Sequence, residues 1–195
     1  MEYLRANSDF LQLLAGIVGF CAYIPLTIGI VNERTRQSFA AFLLWGLIDG
    51  VAMVSSILQH GNFWLATSNV AGTFFIAGLL LYKGQFEWSK TETLTSVLVV
   101  VCLIVWYLSG NTGAIVASSL AVILAGIPQM LHTMRHPEHT PTAVYMIWLS
   151  ANTISFFSAR AWTIDEVFYA SCSLLLCAII LAIAGLKKRR HKASL

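Results

Sequence analysis

Apolar and polar positions along this chain fall into long blocks rather than short alternations. Seven mainly apolar stretches, 10–31, 39–59, 63–82, 93–109, 112–134, 142–160 and 166–186, are separated by short polar connections. Each is close to the twenty or so residues that a helix needs to cross a bilayer core. Backbone groups in lipid must be bonded internally, which makes helices the expected spanning structure. The pattern predicts an all-α membrane protein of seven transmembrane helices with no separate soluble domain. No cleavage-site pattern follows the first stretch, so 10–31 reads as a retained helix rather than a signal peptide.

Composition points the same way. Charged residues are 11% of the chain and hydrophobic ones 57%, with mean hydropathy +0.74. A soluble domain carries about 25% charged residues, so this chain lacks the polar groups to cover itself in water. Cys21, Cys102, Cys172 and Cys177 all lie inside apolar runs and read as buried thiols without disulfide or metal spacing. Charge sets an orientation. Arg34, Arg36, Lys83, Lys90, Arg135, Lys187, Lys188, Arg189, Arg190 and Lys192 fall on one side of the expected topology, and only Arg5 and Arg160 on the other. The positive-inside bias puts the C-terminus in the cytoplasm and the N-terminus outside. The basic stretch 187–195 is then a tail that anchors topology and meets anionic lipid, with no role in nucleic-acid binding. The absence of an N-x-S/T sequon leans the expectation towards a bacterial inner membrane.

An internal repeat runs through the pattern. Pro25 and Pro128, Trp45 and Trp148, and Asp49 and Asn152 are each 103 positions apart. Ala22 and Ala125, Ile24 and Ile127, and Ala40 and Ala143 keep the same offset. The repeat divides the chain into a first three-helix unit over 1–86, a linker helix over 87–111 and a second three-helix unit over 112–186. An odd linker returns the chain to its starting side, so the two units are parallel repeats about an axis along the membrane normal.

The stretches "YIPLTIGIVNERTRQS" and "GIPQMLHTMRHPEHT" resemble the two motifs of the PQ-loop/SWEET (MtN3) superfamily, and the resemblance covers nearly the whole chain as a 3+1+3 plan. The second motif keeps Pro128-Gln129, whereas the first has Pro25-Leu26. The superfamily includes sugar carriers, lysosomal amino-acid transporters and the KDEL receptor. The resemblance implies a carrier whose Pro25 and Pro128 hinge a cytoplasmic gate, with Gln129 bonding a freed carbonyl or its symmetry mate. Asn69, in "ATSNVAGTFF", resembles the asparagine that lines the SWEET pocket. Its offset mate is Cys172, a departure from the paired asparagines of that family.

Asp49 is the sharpest single residue. An ionisable group about ten residues into an apolar span is costly there and marks a functional site by default. It suits either proton transfer or a direct bond to a polar solute. Trp45 and Trp148 stand one turn before Asp49 and Asn152 on the same helical faces. A ring beside a hydrogen-bonding group suits a sugar face or an amino-acid side chain. The expected substrate site is therefore Trp45, Asp49, Asn69, Trp148 and Asn152, with Asp49 as the proton-coupling group and Pro25, Pro128 and Gln129 at the gate. Trp64, Trp88, Trp106 and Trp162 read as interfacial anchors, and Asp165 and Glu166 as solvated carboxylates at the outer end of the last span. His132, His136 and His139 lack ligand spacing from a second element, and the acids lie on different spans, so neither a metal site nor catalysis is expected. No cofactor is expected either, since the last span holds no lysine for retinal. The sequence thus predicts a secondary transporter of a small polar solute, amino-acid-like or a sugar. The alternative is a non-transporting seven-helix receptor or adaptor. The partners expected are the solute, protons and the bilayer, and the oligomeric state is left open.

Overall fold

A computed structural model describes residues 7–33, 39–84, 90–135, 137 and 140–193. These residues are overwhelmingly helical: α1 (Ser8–Cys21), α2 (Tyr23–Val31), α3 (Phe39–Leu58), α4 (Trp64–Tyr82), α5 (Lys90–Arg135), α6 (Thr142–Phe157) and α7 (Ile164–Ala193). Among the described residues, five stretches are long and apolar enough to cross a membrane: Ser8–Val31, Ala41–Leu58, Trp64–Tyr82, Ser96–Arg135 and Ile164–Leu186. Ile17, Ile24, Phe75, Val97, Val100 and Leu175 stand out from the bundle. An apolar surface this extensive suits lipid contact and not water. The chain is an α-helical protein built for a membrane.

The first stretch stays helical in its backbone from Ser8 to Val31, but its hydrogen bonding changes at Ala22 (φ −63°, ψ −26°), whose N–H bonds the carbonyl of Gly19 at 3.2 Å, where α1 passes into α2. The cause is three residues on. Pro25 has no N–H for the carbonyl of Cys21, and its ring crowds that carbonyl. At Pro128 the backbone of α5 continues as helix through Arg135; the Pro128 and His132 side chains, like Arg5, Arg34, Arg36, Trp88, His136 and His139, lie outside what is described. The two prolines expected to behave alike therefore differ, and only the first coincides with a change in bonding.

The break in α5 is of another kind. Gly110 has φ 70° and ψ −166°, a conformation open to glycine and strained for other residues. Beyond it the chain doubles back. A Cβ on Gly113 would lie 3.6 Å from Cγ1 of Val105, although eight residues of straight helix span about 12 Å. The indole of Trp106 ties the bend by donating to Oδ1 of Asn111 at 2.8 Å. Val99 and Cys102 before the bend, and Ala114, Ala121 and Ala125 after it, pack with Leu44, Ile48 and Val51 of α3 in one apolar cluster.

The remaining helices close around this pair in a regular order. α4 packs against both α1 and α3, and α7 packs against both α5 and α6. The two groups meet where α1 touches α6 and where α3 touches α5. Element ends differ from expectation in two places. α6 is 16 residues long, about 24 Å, because Ser158 caps it and the carbonyl of Ser158 is taken by Gln12. α7 does not stop at 186 but stays helical to Ala193, so the basic tail continues the last helix.

Candidate functional site

Where the two groups of helices meet they form a half-open cavity of about 90 Å³. That is room for several water molecules at about 10–15 Å³ each. Trp45 and Asp49 reach it from α3, Asn69 from α4, Gln129 from α5, and Trp148 and Asn152 from α6. All five residues expected to bind substrate thus line one space, together with Gln129. Pro25 lies outside the lining, on α2 below Tyr23, which does line it. The wall also repeats the sequence offset: Phe42 and Tyr145, Trp45 and Trp148, and Asp49 and Asn152 face the same cavity, each pair 103 positions apart.

Asp49 points inward and is 5% exposed. A chain of side chains holds it. Tyr169 on α7 donates its hydroxyl to Oδ1 of Asp49 at 2.8 Å and accepts from Nδ2 of Asn69 at 2.8 Å. Tyr23 donates to Oδ1 of Asn69 at 3.5 Å, a long bond. The network joins α2, α3, α4 and α7, so Asn69 reaches Asp49 through a residue that the sequence reading did not single out. Asn152, the repeat mate of Asp49, is 2% exposed and spends its amide N–H on the carbonyl of Trp148 at 2.7 Å. Its Oδ1, Nε1 of Trp148 and Oγ of Ser173 are buried without a hydrogen-bond partner among the described residues. All three belong to residues lining the cavity. Buried polar atoms normally find partners, so these three groups in a mostly apolar wall are open to a polar partner. Gln129 bonds within its own helix instead of reaching a symmetry mate, donating to Oγ1 of Thr133 at 3.4 Å.

No protein-family model matches the chain, and neither does any curated protein or any solved structure. The geometry of the cavity therefore has to carry the functional reading.

The end at which α1 and α7 begin is closed by a polar clasp. Glu166, expected to be solvated, is 7% exposed. Its Oε1 meets Nε and an outer nitrogen of Arg160 at 2.9 and 2.8 Å, and its Oε2 accepts from Gln12 at 2.9 Å. Arg160 also donates to the carbonyl of His60 at 2.7 Å, and Asn62 donates to Oγ of Ser155 at 2.9 Å. Along α7 from Glu166, Tyr169 comes first and the cavity lining then runs from Ser173 to Ile180. The cavity is thus roofed at this end by the Tyr169 layer and, above it, the clasp. Trp162 is 57% exposed at this end, in keeping with contact at a membrane interface.

Tyr169→Phe removes one hydroxyl from the network and leaves Asn69 and Asp49 each short of a partner. The expected loss is about 1–3 kcal/mol of stability, read as a lower melting temperature in detergent.

Proposed function

We propose that this protein is a secondary carrier that moves a small polar solute across a membrane by alternating access. In this reading the chain crosses the bilayer seven times as two parallel three-helix units joined by a linker helix. The bend at Gly110 is the turn between the linker and the second unit. Support comes from the order of packing, in which the third helix of each unit lies against the other two, and the first helix of each unit meets the second helix of the other. Support also comes from the offset pairs on the cavity wall. The motif resemblance to PQ-loop proteins agrees with this plan, as does an orientation with the basic residues in the cytoplasm of a bacterial cell.

The observation that carries the reading is the half-open space between the helix groups. Among the described residues it holds one carboxyl and several unpartnered polar atoms, and it lies between two helix groups whose helices are apolar enough to cross a membrane. Ionisable groups at that depth mark solute paths and proton relays. The clasp at the α7 start is the closed gate, and the other end, near the altered bonding above Pro25, is the one that flexes. Among the described residues Asp49 is the only carboxyl lining the cavity, and the other titratable groups around it are Tyr23, Tyr145, Tyr169 and Cys177. Phenols and thiols keep their protons at neutral pH in ordinary surroundings, which leaves Asp49 to carry a proton.

Reconstituted protein is expected to show counterflow of its solute, with uptake that depends on pH. Asp49→Asn is expected to remove that dependence while the protein still elutes as a folded particle. Unchanged pH dependence in the variant would end proton coupling through Asp49. Saturable binding with no counterflow would assign the chain to the receptor class instead.

A further inference from the structure

The cavity has an uneven chemistry. Five large aromatic side chains, Tyr23, Phe42, Trp45, Tyr145 and Trp148, line it beside Asp49 and Asn152. Trp148 is the centre of the ring cluster, edge-on to Tyr23 at 5.3 Å and to Tyr145 at 5.6 Å between ring centroids. Among the described residues, no lysine, arginine or histidine lines it. The one charged group is an acid, and the buried oxygen of Asn152 is an acceptor without a donor.

These features sort solutes by charge. A zwitterion or an acid would bring a carboxylate into a space that has no cation to meet it and already holds Asp49; two like charges at short range in a poorly hydrated site repel strongly. A neutral polyol bonds to the polar atoms but offers no charge to Asp49, which then keeps its proton, so no ion pair adds to its binding. An organic ammonium ion answers both needs. Its charge pairs with Asp49, one N–H reaches Oδ1 of Asn152, and its carbon skeleton lies against rings whose faces attract cations. The free N–H of Trp148 then asks for an acceptor, which a hydroxyl on the same solute supplies.

We propose that the guest of this cavity is a small ammonium ion that keeps an N–H and carries a neutral acceptor, an amino alcohol in its simplest form, and not an amino acid or a sugar. The inference rests on the carrier reading only in taking this cavity as the solute site, and it narrows the solute class named by that reading.

Three small probes separate the charge classes: ethanolamine, the zwitterion glycine and the neutral diol ethylene glycol. Titration of the purified protein in detergent, followed by intrinsic tryptophan fluorescence, is expected to show ethanolamine binding at least about tenfold more tightly than either of the others. In Asp49→Asn that preference is expected to shrink to about threefold or less. A wild-type protein that binds glycine or ethylene glycol as well as ethanolamine overturns the proposal, as does one that binds none of them. The wild-type comparison decides even if the variant does not fold. Counterflow of ethanolamine in proteoliposomes is the separate test of transport. Selective binding without flux keeps the ammonium assignment and removes the carrier, while flux of glucose or alanine with no ethanolamine binding keeps the carrier and removes the assignment.

Discussion

Glu166→Ala is expected to lower the stability of the protein in detergent by about 3 kcal/mol. The carboxylate is buried and holds Arg160 through two contacts, its own chain at the Arg160 amide, and the side chain of Gln12. Removing one partner of a buried ion pair costs more than the pair contributes when intact, because the remaining polar groups stay buried and unpaired. Arg160 is 42% exposed on its side chain and can turn to water, which holds the loss to the lower end of the range. Gln12 cannot, being 2% exposed. The same change should loosen the closed end. A cysteine placed at Ser173, in the cavity lining beyond the clasp, is expected to react with a membrane-impermeant thiol reagent faster in the Glu166→Ala background than in the wild type. Equal labelling rates and an unchanged melting temperature would show that the clasp holds nothing shut.

Gly72→Ala is expected to give the second large effect. A Cβ at Gly72 would overlap the ring of Tyr23, which is 3% exposed and wedged against Trp148. The ring has no free space to retreat into except towards the cavity. Overpacking of this kind costs about 1–3 kcal/mol, and here it also moves a wall of the site. Solute affinity is expected to fall about tenfold or more, because a displacement of this size takes up the volume of roughly one water in a cavity that holds only a few. Pairing the change with Tyr23→Phe tests the cause less well than pairing it with Tyr23→Ala, which removes the colliding ring. If Tyr23→Ala does not restore the stability lost on Gly72→Ala, as measured by double-mutant comparison, the steric account is wrong.

Much of the wall of the cavity was legible in the sequence because the repeat marks it. Trp45, Asp49, Trp148 and Asn152 stand out as pairs at one offset, and the structure places them around one space. The same arithmetic would have found Phe42 and Tyr145, an aromatic pair three residues before the tryptophans. Tyr169 carries no such mark. Its offset mate is Ala66, and it sits in an apolar run where nothing separates it from a packing residue. The usable signal was physical, since a tyrosine hydroxyl buried in a membrane span needs a partner and the spans hold few candidates. Tyr23 was hidden for a different reason: its place depends on Gly72, a contact between helices that no local pattern encodes. Glu166 was misread because solvation was inferred from its position near a helix start. Its burial comes from three elements converging there, and that is a tertiary fact. The membrane character was plain from hydropathy, because lipid requires it of every exposed position.

The change in bonding at Ala22 has no counterpart in the second half, where helix runs on past Pro128. A pair of arms with one soft elbow and one stiff strut does not scissor evenly. In the carrier reading, an opening stroke is taken up by the first arm while the second serves as its fulcrum, so the two faces of the molecule move through unequal distances despite the offset their sequences share.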